Sequence, residues 1–192
     1  MNYLFIATHI GGGGGLLKRC LATNTSVYCR NGLHVYLHPS NLDDMKKEDT
    51  YARVAADRLV YNFQMAAPSV MGLSTFAYVV REPRAVLDHL HDAHGYSWDG
   101  ALNYYRFRLR RLCEMARRTP RSFLFTFDDV VTGRALGLIQ SKFGLKHPFV
   151  LKYEPAEEGY PAAPIGHLEI AQTSYERHLY YMRNLKLMEA VR

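Results

Sequence analysis

The chain has 192 residues, with 24 Lys and Arg against 18 Asp and Glu, and a formal net charge of +6 at pH 7. Hydrophobic residues make up 48% of it, which excludes an intrinsically disordered protein, and three cysteines are too few for a disulfide framework. No apolar run reaches the roughly 18 residues that a membrane-spanning helix needs. We expect one domain over residues 1–192, a cytoplasmic location, no secretion signal and a charge compatible with an anionic ligand.

The first part of the sequence is typical of a strand, a glycine loop and a helix in succession. Residues 3–7 are an apolar run, five glycines follow, and residues 16–21 have a helical pattern. Proteins with an α/β fold often bind phosphate where a strand leads through such a loop into a helix. Residues 26–29 predict a second short strand, and residues 34–37 are compatible with a third.

The middle of the chain continues this alternation. Residues 43–59 predict a polar helix, with Asn41 as its N-cap. Residues 75–80 form a nearly continuous apolar run with β-branched and aromatic side chains, which predicts a buried parallel strand. Pro83 follows at a position where a helix can begin.

The last part adds a long helix, a strand and two further helical segments, which we expect at residues 98–116, 122–126, 130–143 (after Asp128 and Asp129) and 168–191. Gly144 is suited to end the second of these helices. Strands that alternate with helices predict a three-layer α/β sandwich with a mainly parallel sheet. The tyrosines of the last helix could serve the core or an interface between identical subunits.

The glycine run is the first candidate binding element, and it consists of Gly11, Gly12, Gly13, Gly14 and Gly15. Glycines allow backbone N–H groups to turn toward an anion at a helix N-terminus. The phosphate-loop pattern of ATPases and kinases is absent, because Leu17 and Arg19 occupy the positions of its second glycine and its hydroxyl residue. An ATP-dependent kinase is therefore disfavoured, and a flexible loop without a ligand is the alternative interpretation.

Arg81 is the second candidate, because it leaves the predicted strand at residues 75–80 just before a helix starts. Ligands of open α/β sheets bind at that edge, and a planar guanidinium suits a phosphate. The alternative is a structural ion pair between Arg81 and an acidic residue such as Asp128.

Four segments together resemble the sulfotransferases that use 3′-phosphoadenylyl sulfate (PAPS). Residues 5–15, Phe-Ile-Ala-Thr-His-Ile and five glycines, resemble the family's first strand and 5′-phosphosulfate loop. Residues 78–87, Tyr-Val-Val-Arg-Glu-Pro-Arg-Ala-Val-Leu, resemble its 3′-phosphate motif. Residues 123–131 resemble a later strand of the family, and residues 135–145 resemble the next helix with its Phe-x-Gly-Leu ending.

The resemblance implies a sulfotransferase-like fold of the broad P-loop group. It also implies sulfuryl transfer from PAPS to a hydroxyl or amine acceptor, without a metal ion. The loop amides would hold the 5′-phosphosulfate, and Arg81 the 3′-phosphate. The family's 3′-phosphate serine falls at His89, which can also donate a hydrogen bond to phosphate.

Two departures from the family concern the loop itself. Gly12 stands where members carry a lysine or arginine, and Gly13 stands where they carry a hydroxyl residue. The cation that stabilises the leaving group is then missing from the loop, and Lys18 is the substitute that we consider. A catalytically degenerate module that binds a nucleotide or a partner is therefore the alternative function.

The family also uses a general base, usually His or Glu. His34, His38 and Glu48 lie between the two motifs, and no motif selects one; we take His38 as the candidate. His89, His91 and His94 do not share one helical face, which disfavours a metal site.

The arginine-rich helix over residues 98–116 has interleaved aromatic residues, so that nucleic acid or an acidic acceptor could bind it. We favour a solvated face with tyrosine and leucine turned to the core.

Overall fold

The computed structural model describes residues 1–61, 64–119, 121–151, 153 and 162–185. The strands are β1 (Asn2–Thr8), β2 (Val27–Cys29), β3 (Val54–Leu59), β4 (Thr75–Val80) and β5 (Ser122–Thr126). The helices are α1 (Gly14–Leu21), α2 (Ser40–Glu48), α3 (Pro68–Met71), α4 (Pro83–His94), α5 (Trp98–Ala116), α6 (Phe127–Val131), α7 (Arg134–Phe143) and α8 (Ile165–Asn184). All five strands pair in parallel, in the order β2-β3-β1-β4-β5.

The sheet lies between two layers of helices because its strands are apolar on both faces. Phe5 and Ala7 of β1 pack into the core formed with α4, α5 and α8, whereas Leu4 and Ile6 pack into the core formed with α1 and α7. The three-layer α/β sandwich expected from the sequence is confirmed. Among the described residues, no helix is both long enough and apolar enough to cross a membrane.

The largest difference from the sequence-based prediction is at residues 43–59. Helix α2 ends at Glu48, and the rest of that segment contains β3, which lies next to β1 in the sheet. The prediction of one long helix was wrong because Asp57 and Arg58 gave β3 a polar appearance. Asp57 is nevertheless fully buried, since its carboxylate accepts hydrogen bonds from neighbouring residues.

Two other elements agree with their predicted bounds, whereas the helix expected before Gly144 is divided into α6 and α7. Helix α5 and strand β5 span the residues expected, and Gly144 ends α7 in the left-handed conformation, with φ of 59°. Residues 34–37 form no strand, and Tyr36 makes only an isolated bridge to Ala66. The predicted last helix begins earlier, at Ile165, and ends at Asn184, because the backbone of Leu185 is extended; residues 186–191 of the prediction lie outside the described residues.

The order of the strands creates a crevice at their carboxyl ends. After β1 the chain passes through α1, on one face of the sheet, and continues to β2 at one edge. After β4 it passes through α4, on the other face, and continues to β5 at the opposite edge. Open α/β sheets bind ligands at such a switch point. The glycine loop after β1 and Arg81 after β4 are therefore neighbours.

Candidate functional site

The glycine loop joins β1 to α1 in a conformation that L-residues rarely adopt. Gly11 and Gly13 have φ of 72° and 94°, within the left-handed region. The hydrogen bond from the Leu17 amide to the Gly13 carbonyl begins the helical ladder. The amides of residues 14–16 therefore have no acceptor within the helix and can face an anion at its positive end, whereas the Gly12 amide already donates to the His9 carbonyl at 3.0 Å.

The loop packs so closely that side chains are excluded from its centre. A Cβ atom on Gly12 would lie 2.5 Å from Thr8 Oγ1 and 2.8 Å from His9 Cε1. A Cβ atom on Gly13 would lie 2.6 Å from the Phe127 ring. A lysine at position 12, which the resemblance to sulfotransferases leads one to expect, would require Thr8 and His9 to move.

Arg81 and His89, which sequence reasoning assigned to one phosphate, both lie against Gly11. The Arg81 guanidinium is 3.5 Å from the Gly11 carbonyl oxygen and stacks 3.9 Å above the Phe127 ring. The His89 ring is 3.2 Å from the position of a Cβ on Gly11. Arg81 makes no ion pair with Asp128 or another described acid. Burial, with smaller effects from His94 and Arg81, lowers the pKa of His89.

His9 connects the loop to the residue that follows β4. Its Nε2 accepts the Arg81 backbone N–H at 3.0 Å, which leaves Nδ1 to donate to the Ile10 carbonyl at 3.0 Å. Burial lowers the pKa of His9 to about 4, and the positive charges of Arg108 and Arg81 add to this effect. His9 is thus a neutral, oriented link between the two halves of the site.

Helix α5 supports the loop from the other side with three buried polar side chains. Tyr104 accepts the Ile10 N–H at 3.0 Å and donates to the Val60 carbonyl at 3.0 Å. Tyr105 donates to the Arg81 carbonyl at 2.7 Å. This confirms that tyrosines of α5 turn inward, although sequence reasoning did not single out their role.

Arg108 is the largest fully buried side chain of the described residues. Its guanidinium donates to the carbonyl oxygens of Thr8, Leu59 and Tyr61 at 2.7, 2.6 and 2.9 Å, which ties the ends of β1 and β3 together. Burial lowers the pKa of Arg108 to about 10, so it remains charged at neutral pH. The expectation that the arginines of this helix are solvated was wrong at this position.

The two other cations near the loop are placed differently. Lys18 points away from the loop, and its ammonium donates to the Arg30 carbonyl and, at 3.3 Å, to the Asn31 side chain. Arg58, from the end of β3, has its Nη1 2.7 Å from the position of a Cβ on Gly15. The cation that reaches the first turn of α1 is therefore Arg58, which sequence reasoning missed.

A buried carboxylate at the end of β3 orients a histidine. Asp57 Oδ2 accepts from the Tyr36 hydroxyl at 2.5 Å and lies 3.0 Å from His34 Nδ1, while Oδ1 accepts the Arg58 N–H at 2.6 Å. Burial and the Asp57 carboxylate raise the pKa of Tyr36, which therefore stays a hydrogen-bond donor. His34 then donates from Nδ1 and has the Nε2 lone pair available.

The remaining candidates for a base have local partners. His38 is exposed at the start of α2, where its Nδ1 accepts the Ser40 backbone N–H at 3.2 Å. Glu48 accepts from the Tyr28 hydroxyl at 2.7 Å and pairs with Arg30 at 2.8 Å. Hydrogen bonds between His38 and the loop do not occur among the described residues, and the choice of His38 stays a prediction.

Asp57 and Arg58 carried a signal that sequence reasoning could have used. They follow the apolar residues 54–56 at the end of a strand, as Arg81 follows the apolar run of β4. Charged residues at the carboxyl end of a parallel strand point to the ligand edge of the sheet. The signal was missed because the segment was assigned to a helix.

The comparison with solved structures found a crystal structure of a sulfotransferase from Alicyclobacillus acidocaldarius, with a TM-score of 0.62. The match covers 97% of this chain and 96% of the other, at 11% sequence identity. The fold is sulfotransferase-like. No protein-family model and no curated protein matches the sequence. Within the sulfotransferase-like fold, groups of three or more His, Cys, Asp or Glu that could hold a metal ion are not found among the described residues.

Proposed function

We propose that this protein transfers a sulfuryl group from PAPS to a hydroxyl or amine acceptor. The observation that carries the proposal is the convergence of Arg81 and His89 on Gly11, at the switch point of a sulfotransferase-like sheet. These two residues stand at the positions that the family resemblance assigns to the 3′-phosphate. A guanidinium beside a neutral imidazole supplies planar donors and an additional N–H to one phosphate.

The 5′ end of the donor would lie on the amides of residues 14–16, where the dipole of α1 favours negative charge. Arg58 reaches Gly15 at this helix end and supplies the positive charge that the glycines at positions 12 and 13 lack. We assign this role to Arg58 in preference to Lys18, whose ammonium is bound to the loop after β2. A cation here stabilises the negative charge that develops on the leaving phosphate.

His34 is the base that the contacts favour among the three that the sequence left open. Asp57 fixes its tautomer, so that Nε2 can take the proton of the acceptor hydroxyl or amine. PAPS, when bound, supplies the electrophilic sulfur and leaves as 3′-phosphoadenosine 5′-phosphate (PAP). The acceptor atom forms the new bond to sulfur as the bond from sulfur to the phosphate oxygen breaks, and the proton goes to His34.

Calorimetric titration with PAP, with ATP as the control ligand, tests the donor site. We expect binding in the micromolar range, little binding of ATP, and loss of PAP binding in Arg81→Ala. Arg84→Ala is the matched control, because Arg84 is exposed in the first turn of α4 and carries the same charge. Absence of PAP binding, or an equal loss in both variants, would refute the assignment.

A binding module without transfer activity is a second candidate, and the packing of the loop favours it. The loop contains no lysine or arginine, and a side chain at position 12 would displace Thr8 and His9. Turnover of PAPS with mixed phenol, alcohol and amine acceptors separates the two functions. PAP binding without turnover supports the module, whereas turnover that Arg58→Ala and His34→Gln strongly reduce supports the transferase.

A further inference from the structure

A groove of about 570 Å³ separates the outer surfaces of α5 and α8. Three arginines line it, Arg106 and Arg110 from α5 and Arg177 from α8, together with Phe107 and Ile170. These α5 residues lie on the face opposite Tyr105 and Arg108, which support the glycine loop. The groove is therefore separate from the candidate donor site.

Of the three groove arginines, only Arg110 has an acidic partner among the described residues. No acidic residue is among those that line it, and neither Arg106 nor Arg177 forms an ion pair within the described residues. Arg110 pairs with Glu114 at 3.2 Å, but this contact is exposed and contributes little. Guanidinium groups on both walls of one groove repel each other, and bound carboxylates would relieve this repulsion through bidentate hydrogen bonds.

The groove also has an apolar surface, which restricts the kind of anion that fits. Phe107 and Ile170 are 51% and 49% exposed, and both line the groove. A nucleic acid or a sulfated polysaccharide would satisfy the arginines but leave Ile170 against charged groups. A peptide that alternates acidic and apolar side chains satisfies both, and arginine with aromatic residues is the usual composition of such binding centres.

We propose that the α5–α8 groove binds an acidic amphipathic segment of a partner protein. The apolar side chains of that segment cover Phe107 and Ile170, and its carboxylates pair with the arginines on both walls. A second copy of this chain is a poor occupant, because two such positive grooves repel and the chain carries +6 overall. The proposal does not depend on sulfuryl transfer.

Fluorescence anisotropy with a labelled peptide of four Leu-Glu-Ala-Glu repeats tests this. We expect micromolar binding, weakened roughly tenfold or more in the double variant Arg106→Ser/Arg177→Ser and in Phe107→Ser. Arg19→Ser/Arg118→Ser is the matched control, since both residues are exposed outside the groove and the same charge is removed. The control should retain binding, and PAP binding should be unchanged in all variants that keep the wild-type melting temperature.

Four results of the binding experiments would overturn the proposal. If the wild-type protein does not bind the peptide, the groove is not a peptide site. If binding weakens equally in the two double variants, or if a peptide with alanine in place of leucine binds equally well, the attraction is non-specific and due to charge alone. If a heparin fragment or a single-stranded oligonucleotide binds more tightly than the peptide, the groove is a site for a polyanion. Self-association that the groove variants abolish would instead identify a second copy as the occupant.

Discussion

At the scale of single residues, the buried histidine behind the loop makes stability depend on pH. The pKa of His9 is about 4 in the folded protein and about 6.5 when unfolded, so the unfolded chain binds the proton first as pH falls. Stability is unaffected by His9 above pH 6.5 and decreases below it, by about 2 kcal/mol at pH 5. Urea unfolding at pH 7 and pH 5 should show this decrease, and His9→Gln should reduce it. An equal decrease in both proteins would contradict the assignment.

His89 should give the candidate donor site a pH dependence of its own. Because burial lowers its pKa, His89 is neutral at pH 7.5, and a bound phosphate favours its protonated form. PAP affinity should therefore increase as pH falls from 7.5 to 6, by at most about tenfold per pH unit for one proton taken up. The phosphates of PAP also take up protons in this pH range, so PAP binding is measured at each pH for both wild type and His89→Asn. The difference between the two proteins is the contribution of His89. The prediction fails if both proteins show the same pH dependence.

At the scale of elements, side chains of α5 form hydrogen bonds with the backbone at the ends of β1, β3 and β4. Tyr104→Phe would leave the Ile10 N–H and the Val60 carbonyl without their buried partner. We expect a loss of about 1–3 kcal/mol in the free energy of unfolding and weaker PAP binding, because Ile10 anchors the glycine loop. Tyr180→Phe is the control, since Tyr180 is 73% exposed on α8. An unchanged stability in Tyr104→Phe would show that water replaces the hydroxyl.

At the scale of the whole molecule, the site assembles charges from separate strands around a loop that carries none. Arg58 comes from β3 and Arg81 from the end of β4, and both reach the loop after β1. If Arg58 stabilises the leaving group, Arg58→Ala should reduce PAPS turnover by about 10²–10³-fold, with a smaller change in PAP affinity. Arg19→Ala, which removes an exposed charge on α1, should retain turnover. A loss of affinity without a loss of turnover would assign Arg58 to binding alone.

The sequence by itself determined the alternation of strands and helices, the glycine loop after β1 and the place of Arg81 after β4. These features are local, because apolar runs, glycines and helix-breaking residues act within a few positions of the chain. They were sufficient for the three-layer sandwich and for the resemblance to sulfotransferases, and the solved structure from Alicyclobacillus acidocaldarius supports the fold.

Only the tertiary structure decided which polar residues meet at the loop. The sequence assigned Asp57 and Arg58 to a polar helix, whereas pairing between β3 and β1 buries the first and brings the second to Gly15. It also gave no reason to bury Arg108, whose charge is tolerated because three carbonyl oxygens from distant segments accept its hydrogen bonds. Such contacts join residues 40 to 100 positions apart, and a local pattern carries no information about partners that only the folded sheet brings together.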